Sequence, residues 1–428
     1  MKIGFFLENK LYNKVDFSRP ELGNPGIRGT QYMIWIIACK LAKYHDIYLF
    51  APCIDKMPSY LHSCLCKDEK QAFIKAVELG VEVLVLRACN ENADLYQSFN
   101  NDKVKLILWS HNFENYKLAN SVAKNRQIKR FVCVGRQQYE RLRDHEIFFK
   151  STYIYNALDF KTFKGKRIKN DNKTVTYIGA LNNQKGFHIL AKSWKKICKL
   201  VPNAQLNVLG TGNMGKNVEL GQYGLADKKY EKRFMKYLLD KNGNILSSVH
   251  FLGSIGGNEK QEVMLKTSVG VANPSGKSET FCIVATEFEA LGIPVVSKKG
   301  YGLLDTVVNG KTGILVNNER ELISAITRLL TNHNFNNTIG TNGYHFVRKH
   351  FSIEKVVQQW LKLIDDVKRN EPLVVVDTYS FSFNQFKWLR EINRKIQYNG
   401  LNTPSLLMYE YIKTALMNIL LKIRSLHK

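Results

Sequence analysis

The strongest constraint on this chain is an alternation. Short strand-like apolar runs recur in its first part: "KIGFFLE" (2–8), "DIYLFAP" (46–52), "VEVLVLRA" (81–88), "VKLILWS" (104–110) and "RFVCVG" (130–135). Helical spacing of apolar residues falls between several of them, notably over 31–44 and 137–143. The rhythm breaks at the polar, basic stretch "NALDFKTFKGKRIKNDNK" (156–173) and then restarts. The second series comprises "TVTYIGA", a helix over "HILAKSWKKICKL", then "AQLNVLG", "VHFLG", "VGVANPS", a helix from Phe281, and "PVVSK". Strands alternating with helices specify open, mostly parallel sheets, because a parallel pair needs a crossover between its strands.

The reading is therefore α/β, with two Rossmann-like domains facing across a cleft. The expected spans are an N-terminal domain over 1–163, a C-terminal domain over 164–365, and a mostly helical tail over 366–428 that packs back on the N-terminal domain. A length of 428 residues suits such a division. In the tail, "PLVVVD" reads as a strand. The last helix carries Ile412, Leu416, Ile419, Leu420 and Ile423 along one side, a pattern that suits either a membrane surface or the protein's own body. Ligands in open parallel sheets bind outside the carboxyl ends of the strands, so the residues just after each strand are the ones to inspect.

Composition narrows the partners. Eight scattered cysteines without zinc spacing read as free thiols of a reducing compartment, hence a cytoplasmic protein. "MKIGFFLEN" reads as a first strand, and no apolar run reaches the length of a membrane span. The net charge of +26 suits nucleic acid, anionic lipid or a phosphorylated substrate. Its densest zone runs from Lys117 to Lys150, read as a solvated basic surface. No nucleic-acid-binding signature accompanies it, so the expectation is no nucleic acid and an anionic membrane surface as candidate partner.

One residue resists a bland explanation. In "SETFCIVATEFEALGIPVV", a helical wheel places Glu287 amid Ile283, Val284, Ala290 and Leu291, with Thr286 and Glu289 opposite. Glu289 reads as solvated. Glu287 reads as turned toward the sheet, a position costly for a carboxylate unless something satisfies it. Glu279 stands on the loop at the strand's carboxyl edge. The amides of Thr280, Phe281 and Cys282 open the helix and suit a phosphate. A nucleotide sugar offers both hydroxyls and a diphosphate.

Glu279 and Glu287, separated by seven residues and followed by "EALGIPVV", resemble the signature of glycosyltransferase family 4, of the GT-B fold. "NPGIRGTQY" (24–32) resembles that family's glycine-rich loop after the first strand. "YIYNALDFKTF" (153–163), "YIGALNNQKGFHIL" (177–190) and "GYGLLDTVVNGKTGILV" (300–316) resemble its further conserved segments in order. The resemblance covers roughly residues 1–365 and leaves the tail unexplained.

It implies a retaining, metal-independent transferase that moves a hexose-type sugar from a nucleoside diphosphate, UDP or GDP, to an acceptor hydroxyl. The acceptor would be a glycan or lipid-linked intermediate of bacterial surface polysaccharide, met at the inner face of the plasma membrane. By resemblance Glu287 binds the donor ribose, Glu279 and His111 contact the transferred sugar as the catalytic pair, and Lys185 binds the diphosphate. Gly26 and Gly29 let the backbone approach the phosphates. The family's arginine five residues before the lysine is Ala180 here, and Arg28 is the candidate substitute. Gly210 opens "GTGNMG" (210–215), read as a loop lining the donor cleft. No Asp-x-Asp is present, so the usual metal clamp for a sugar diphosphate is missing, and no other cofactor is expected. The alternatives are a GT-B sugar-nucleotide epimerase and a basic nucleic-acid-binding protein.

Overall fold

The computed structural model describes residues 1–163, 165, 172–212, 219–376 and 386–426, without the side chains of 418 and 421–426. Much of the 156–173 stretch and of "GTGNMG" thus lies outside the described residues. Each apolar series forms its own parallel sheet. The first contains β1 (Lys2–Phe6), β2 (Asp46–Ala51), β3 (His62–Leu65), β4 (Val83–Arg87), β5 (Lys105–Ser110), β6 (Ile128–Cys133) and β7 (Ser151–Tyr153), in the order 3-2-1-4-5-6-7. The second contains β8 (Thr174–Ile178), β9 (Gln205–Leu209), β10 (Val249–Gly253), β11 (Val269–Val271), β12 (Val295–Lys298) and β13 (Gly313–Val316), in the order 10-9-8-11-12-13. Strand order reverses between β1 and β4 in one sheet and between β8 and β11 in the other, which opens a crevice at each carboxyl edge. This is the expected two-sheet α/β architecture.

The chain crosses between the sheets twice, and the crossings are bonded to each other. Leu158 N–H donates to Phe351 O at 2.8 Å, and Ile353 N–H donates to Leu158 O at 3.0 Å. Tyr155, Phe281 and Phe351 stack beside them with ring centroids 5.1 to 5.7 Å apart, so one aromatic knot serves both units.

The return crossing alters the expected division. The helix Ile353–Arg369, within the span assigned to the second domain, lies on the first sheet. Its Trp360 packs edge-on against Trp109, 4.6 Å between centroids, and against Phe5 at 6.5 Å. The apolar stripe of Val356, Trp360, Ile364 and Val367 is buried there, in the same core as β1 and β4.

The tail begins without the expected strand: described residues 372–376 have no regular structure. The helices Lys387–Tyr398 and Leu406–Leu426 follow. Buried ion pairs hold them on the first domain. Arg390, wholly buried, donates to Asp144 at 2.8 Å and to Glu410 at 2.8 Å. Arg141 bridges Glu114 at 3.2 Å and Glu410, while Arg143 joins Glu140 and Glu391. The basic zone read as solvated is therefore partly internal: its arginines 130 and 143 are buried, and 141 and 143 anchor the tail. All eight cysteines are free thiols.

Candidate functional site

A cavity of about 250 Å³ lies between the carboxyl edges of the two sheets. From the first domain, Gly29 and Thr30 open the first helix, His111 and Asn112 follow β5, and Asn156 precedes the crossing. From the second domain come Gly179 after β8, Lys185 on the next turn, and the loop from Asn273 to Cys282 after β11.

That loop is built to hold a carboxylate in place. Asn273 and Ser278 take left-handed backbone, φ 40° and 52°, and Gly276 lies at 66°. The Asn273 side chain stabilises the bend by accepting from Gly276 N–H at 3.1 Å. Its amide then donates to Glu279 Oε2 at 2.7 Å. Lys185 Nζ reaches the same oxygen at 2.7 Å. The lysine is delivered by a second tight turn: Gly186 has φ 74°, and a Cβ there would meet Ser275 N at 2.6 Å. Burial opposes the Lys185 charge, but the Glu279 carboxylate outweighs it and raises the pKa above the ordinary lysine value.

His111 faces this pair from the other domain. Its ring lies 4.6 Å from Trp109, it is buried, and its Nε2 has no hydrogen-bond partner. Burial, with the Arg87 cation as the lesser cause, pushes its pKa down to about 3. The imidazole is therefore neutral at physiological pH, suited to hydrogen bonding rather than to proton release. Asn156 Oδ1, also buried, likewise lacks a partner. Two buried polar atoms at one cavity suit hydrogen bonding to a polar ligand. The domains meet tightly at this point. Thr280 Oγ1 donates to His111 O at 2.6 Å, and a Cβ on Gly135 would meet Thr280 O at 2.5 Å.

The helix proper begins at Ile283, so the amides of Thr280, Phe281 and Cys282 precede its first turn at the cavity wall. Its two glutamates sit opposite to expectation. Glu287 does not face the sheet. It borders a smaller space of about 50 Å³ next to the first cavity, shared with Asn24, Tyr32 and Asp159 of the first domain. There it accepts from Lys260 Nζ at 2.6 Å. Glu289 is not solvated but wholly buried. Its Oε1 accepts from Thr312 Oγ1 at 2.8 Å, Oε2 has no partner, and burial holds its pKa well above the usual carboxylate range. The reason is steric. Gly343 of the helix His333–Phe351 lets that helix approach so closely that a Cβ would lie 3.0 Å from Glu289 Cγ. The inward face of the glutamate helix is thus sealed, and its apolar-looking face borders the cleft.

Of the residues singled out from sequence, Gly29, His111, Lys185, Glu279, Thr280, Phe281 and Cys282 line the main cavity, and Glu287 the adjoining one. Three stand apart. Arg28, just before the first helix, is exposed and lines neither space. Gly26 also lines neither; its backbone meets the second domain, 3.2 Å from a Cβ placed on Gly256. Gly210 sits behind Gly179, with φ 134° and its N–H donating to Gly253 O at 2.7 Å. The cations at the two spaces, among the described residues, are Lys185 and Lys260. Sequence reading missed Lys260, Asn156 and Asn273. Asn273 follows a strand end and was findable by that rule. Nothing in the local sequence ties Lys260 to Glu287.

Residues 159–346 match the family of glycosyl transferases group 1. The chain is 26% identical over 215 residues to the capsular polysaccharide biosynthesis glycosyltransferase CapM of Staphylococcus aureus, covering 48% of this chain and 51% of that one. It spans about half the length of the curated relatives it matches. Among solved structures it resembles sucrose-phosphate synthase of Thermosynechococcus elongatus, with TM-score 0.67 and 17% identity, over 86% of this chain and 100% of that one. It also resembles Anabaena HepE in complex with UDP-glucose, with TM-score 0.63 and 17% identity, over 86% and 100%. Residues 159–346 are thus a domain of the group 1 glycosyl transferases, set in a chain with the GT-B fold.

Proposed function

We propose that this protein transfers a hexose-type sugar from a nucleoside diphosphate, UDP or GDP, to a hydroxyl of a glycan or lipid-linked acceptor, with retention of anomeric configuration. The setting is surface-polysaccharide assembly at the inner face of the plasma membrane. One observation carries the reading: Lys185 and Glu279 of one domain face the unpaired His111 and Asn156 of the other across a single cavity. Glu287 beside it suits vicinal ribose hydroxyls, and the Gly29 turn lets a diphosphate approach backbone.

Lys185 and the Thr280–Cys282 amides stabilise charge developing on the departing diphosphate. Glu279 and neutral His111 orient the sugar, and the leaving phosphate oxygen accepts the acceptor's proton on the same face. Closure of the domains excludes water that would hydrolyse the donor. The sequence has no Asp-x-Asp clamp, so the charge falls to these side chains and amides.

Calorimetry with UDP and GDP tests the reading, followed by a panel of nucleotide sugars scored for donor hydrolysis. Binding of one nucleotide, and slow hydrolysis of one of its sugars, is expected. If neither nucleotide binds, the proposal fails. If donor alone is converted to an epimer, an epimerase replaces it.

A further inference from the structure

We propose that the C-terminal helical hairpin seats this chain on an anionic lipid bilayer, with the helix Leu406–Leu426 lying in the interface. Four observations lead there. First, every described side chain from 411 to 417 is exposed, as are those of 419 and 420, so beyond its docked first turn, where Leu407 is buried, the helix projects from the body. Yet this stretch presents Tyr411, Ile412, Leu416, Met417, Ile419 and Leu420 to solvent. Large side chains exposed around a whole helix need a cover. Second, the preceding helix adds Trp388, Ile392 and Tyr398, exposed by 57, 47 and 72%. Trp and Tyr are the residues that favour the zone between headgroups and acyl chains.

Third, charge selects the cover. Between 386 and 428 the sequence has two carboxylates, Glu391 and Glu410. Both are bound inward, by Arg143 and by Arg141 and Arg390. Lys395 and Lys413 are left exposed, whereas Arg394 turns inward over Phe148 and Phe149. Apolar and cationic groups on one element match the two features an anionic bilayer offers. A second copy, itself carrying +26, would set cationic rims against each other. Fourth, no helix among the described residues is long and apolar enough to cross a membrane, so this one lies on the surface.

The hairpin is also held in a fixed relation to the cavity. Glu410 grips Arg141, Arg141 donates to Glu114 at 3.2 Å, and Gln138 links Glu114 to Asn112 O at 2.8 Å. Asn112 lines the main cavity. A bilayer under the hairpin would therefore hold the cleft at a set distance from lipid, where an acyl-anchored acceptor presents its hydroxyl. This last step rests on the proposed transferase function; the docking does not.

Flotation of the full chain with phosphatidylcholine vesicles, with and without phosphatidylglycerol, tests the proposal. Wild type is expected to float with the anionic vesicles only, and to be released by salt. The Ile412→Asp, Leu416→Asp, Leu420→Asp variant should bind about tenfold more weakly or worse. The Lys395→Gln, Lys413→Gln variant should lose the preference for phosphatidylglycerol. Thermal unfolding and donor hydrolysis in solution should be unchanged in both, because the altered side chains are exposed. Failure of wild type to float with anionic vesicles at low salt overturns the proposal, as does equal flotation of the aspartate variant. A wild-type dimer in sedimentation that the aspartate variant dissolves, without vesicle binding, assigns the surface to a second copy instead. Flotation without any nucleotide binding leaves the docking standing and removes the transferase reading.

Discussion

Glu287 and Glu289 lie two residues apart on the helix Ile283–Ala290, yet they occupy different physical worlds. Glu287 stands at the edge of the cleft with the Lys260 ammonium 2.6 Å away. Glu289 is sealed between its own helix, Gly343 and Thr312, with one hydroxyl donor and no cation. A carboxylate kept beside water and a cation can exchange that partner for a ligand. A carboxyl group without either keeps its proton and serves as a packed hydrogen-bonding group. The pair shows that position along a helix predicts burial poorly when both faces are covered, one by the protein and one by a cleft.

The largest expected effect lies on the cleft side. Lys185→Met removes the cation that faces Glu279 and the place of the leaving diphosphate. Donor turnover should fall by about 10²–10³, with thermal stability changed little. A loss below tenfold would mean that Lys185 serves the Glu279 loop rather than the donor. The two glutamates themselves come next. Glu287→Ala should weaken nucleotide affinity by about ten- to a hundredfold, the worth of one or two charged hydrogen bonds. Glu289→Ala should leave affinity unchanged and cost about 1–3 kcal/mol in urea unfolding, from the hole and the stranded Thr312 hydroxyl. Exchanged outcomes would break the distinction between the two faces.

These assignments show what was legible in the sequence. The parallel sheets were, because alternation of apolar runs and helical spacing admits few other layers. Glu279 and His111 were legible from their places just after strands, whereas Lys185 came only from the family resemblance. The glutamate helix was misjudged because a wheel sees only its own residues. Its inward side is sealed by Gly340 and Gly343 of a distant helix, and a Cβ on Gly343 would lie 3.0 Å from Glu289 Cγ. Those glycines, three apart in "IGTNGY", were the available signal for a close helix crossing. Arg28, the candidate substitute cation, is exposed and borders neither space, while Lys260 sits at the cleft through a contact 27 residues away in sequence. The tail's anchoring arginines looked like a solvated basic zone because their partners, Glu391 and Glu410, lie some 250 residues away.

A smaller effect is expected from Thr312→Val, which keeps the shape of the site but removes the hydroxyl that Glu289 accepts. Stability should fall by about 1 kcal/mol or slightly more, with no change in nucleotide affinity. A drop in affinity would show that the inward face communicates with the cleft.

The finest test is the protonation of Glu289. Burial raises its pKa well above 4.5, so the folded protein holds a proton that the unfolded chain releases. With more protons bound in the folded state, stability must decline as pH rises. The contribution is complete below about pH 4.5 and erodes as the unfolded glutamate ionises above it. Glu289→Gln has nearly the shape and hydrogen-bonding capacity of the protonated acid but cannot ionise. Urea midpoints of the two proteins should agree near pH 4.5 and separate toward pH 8, with wild type the less stable. Taking the difference cancels the opposite drift of His111, whose depressed pKa makes stability fall on acidification in both proteins alike. Curves that stay parallel would mean that Glu289 is ionised in the fold, and the two faces of the helix would then differ in partner but not in charge.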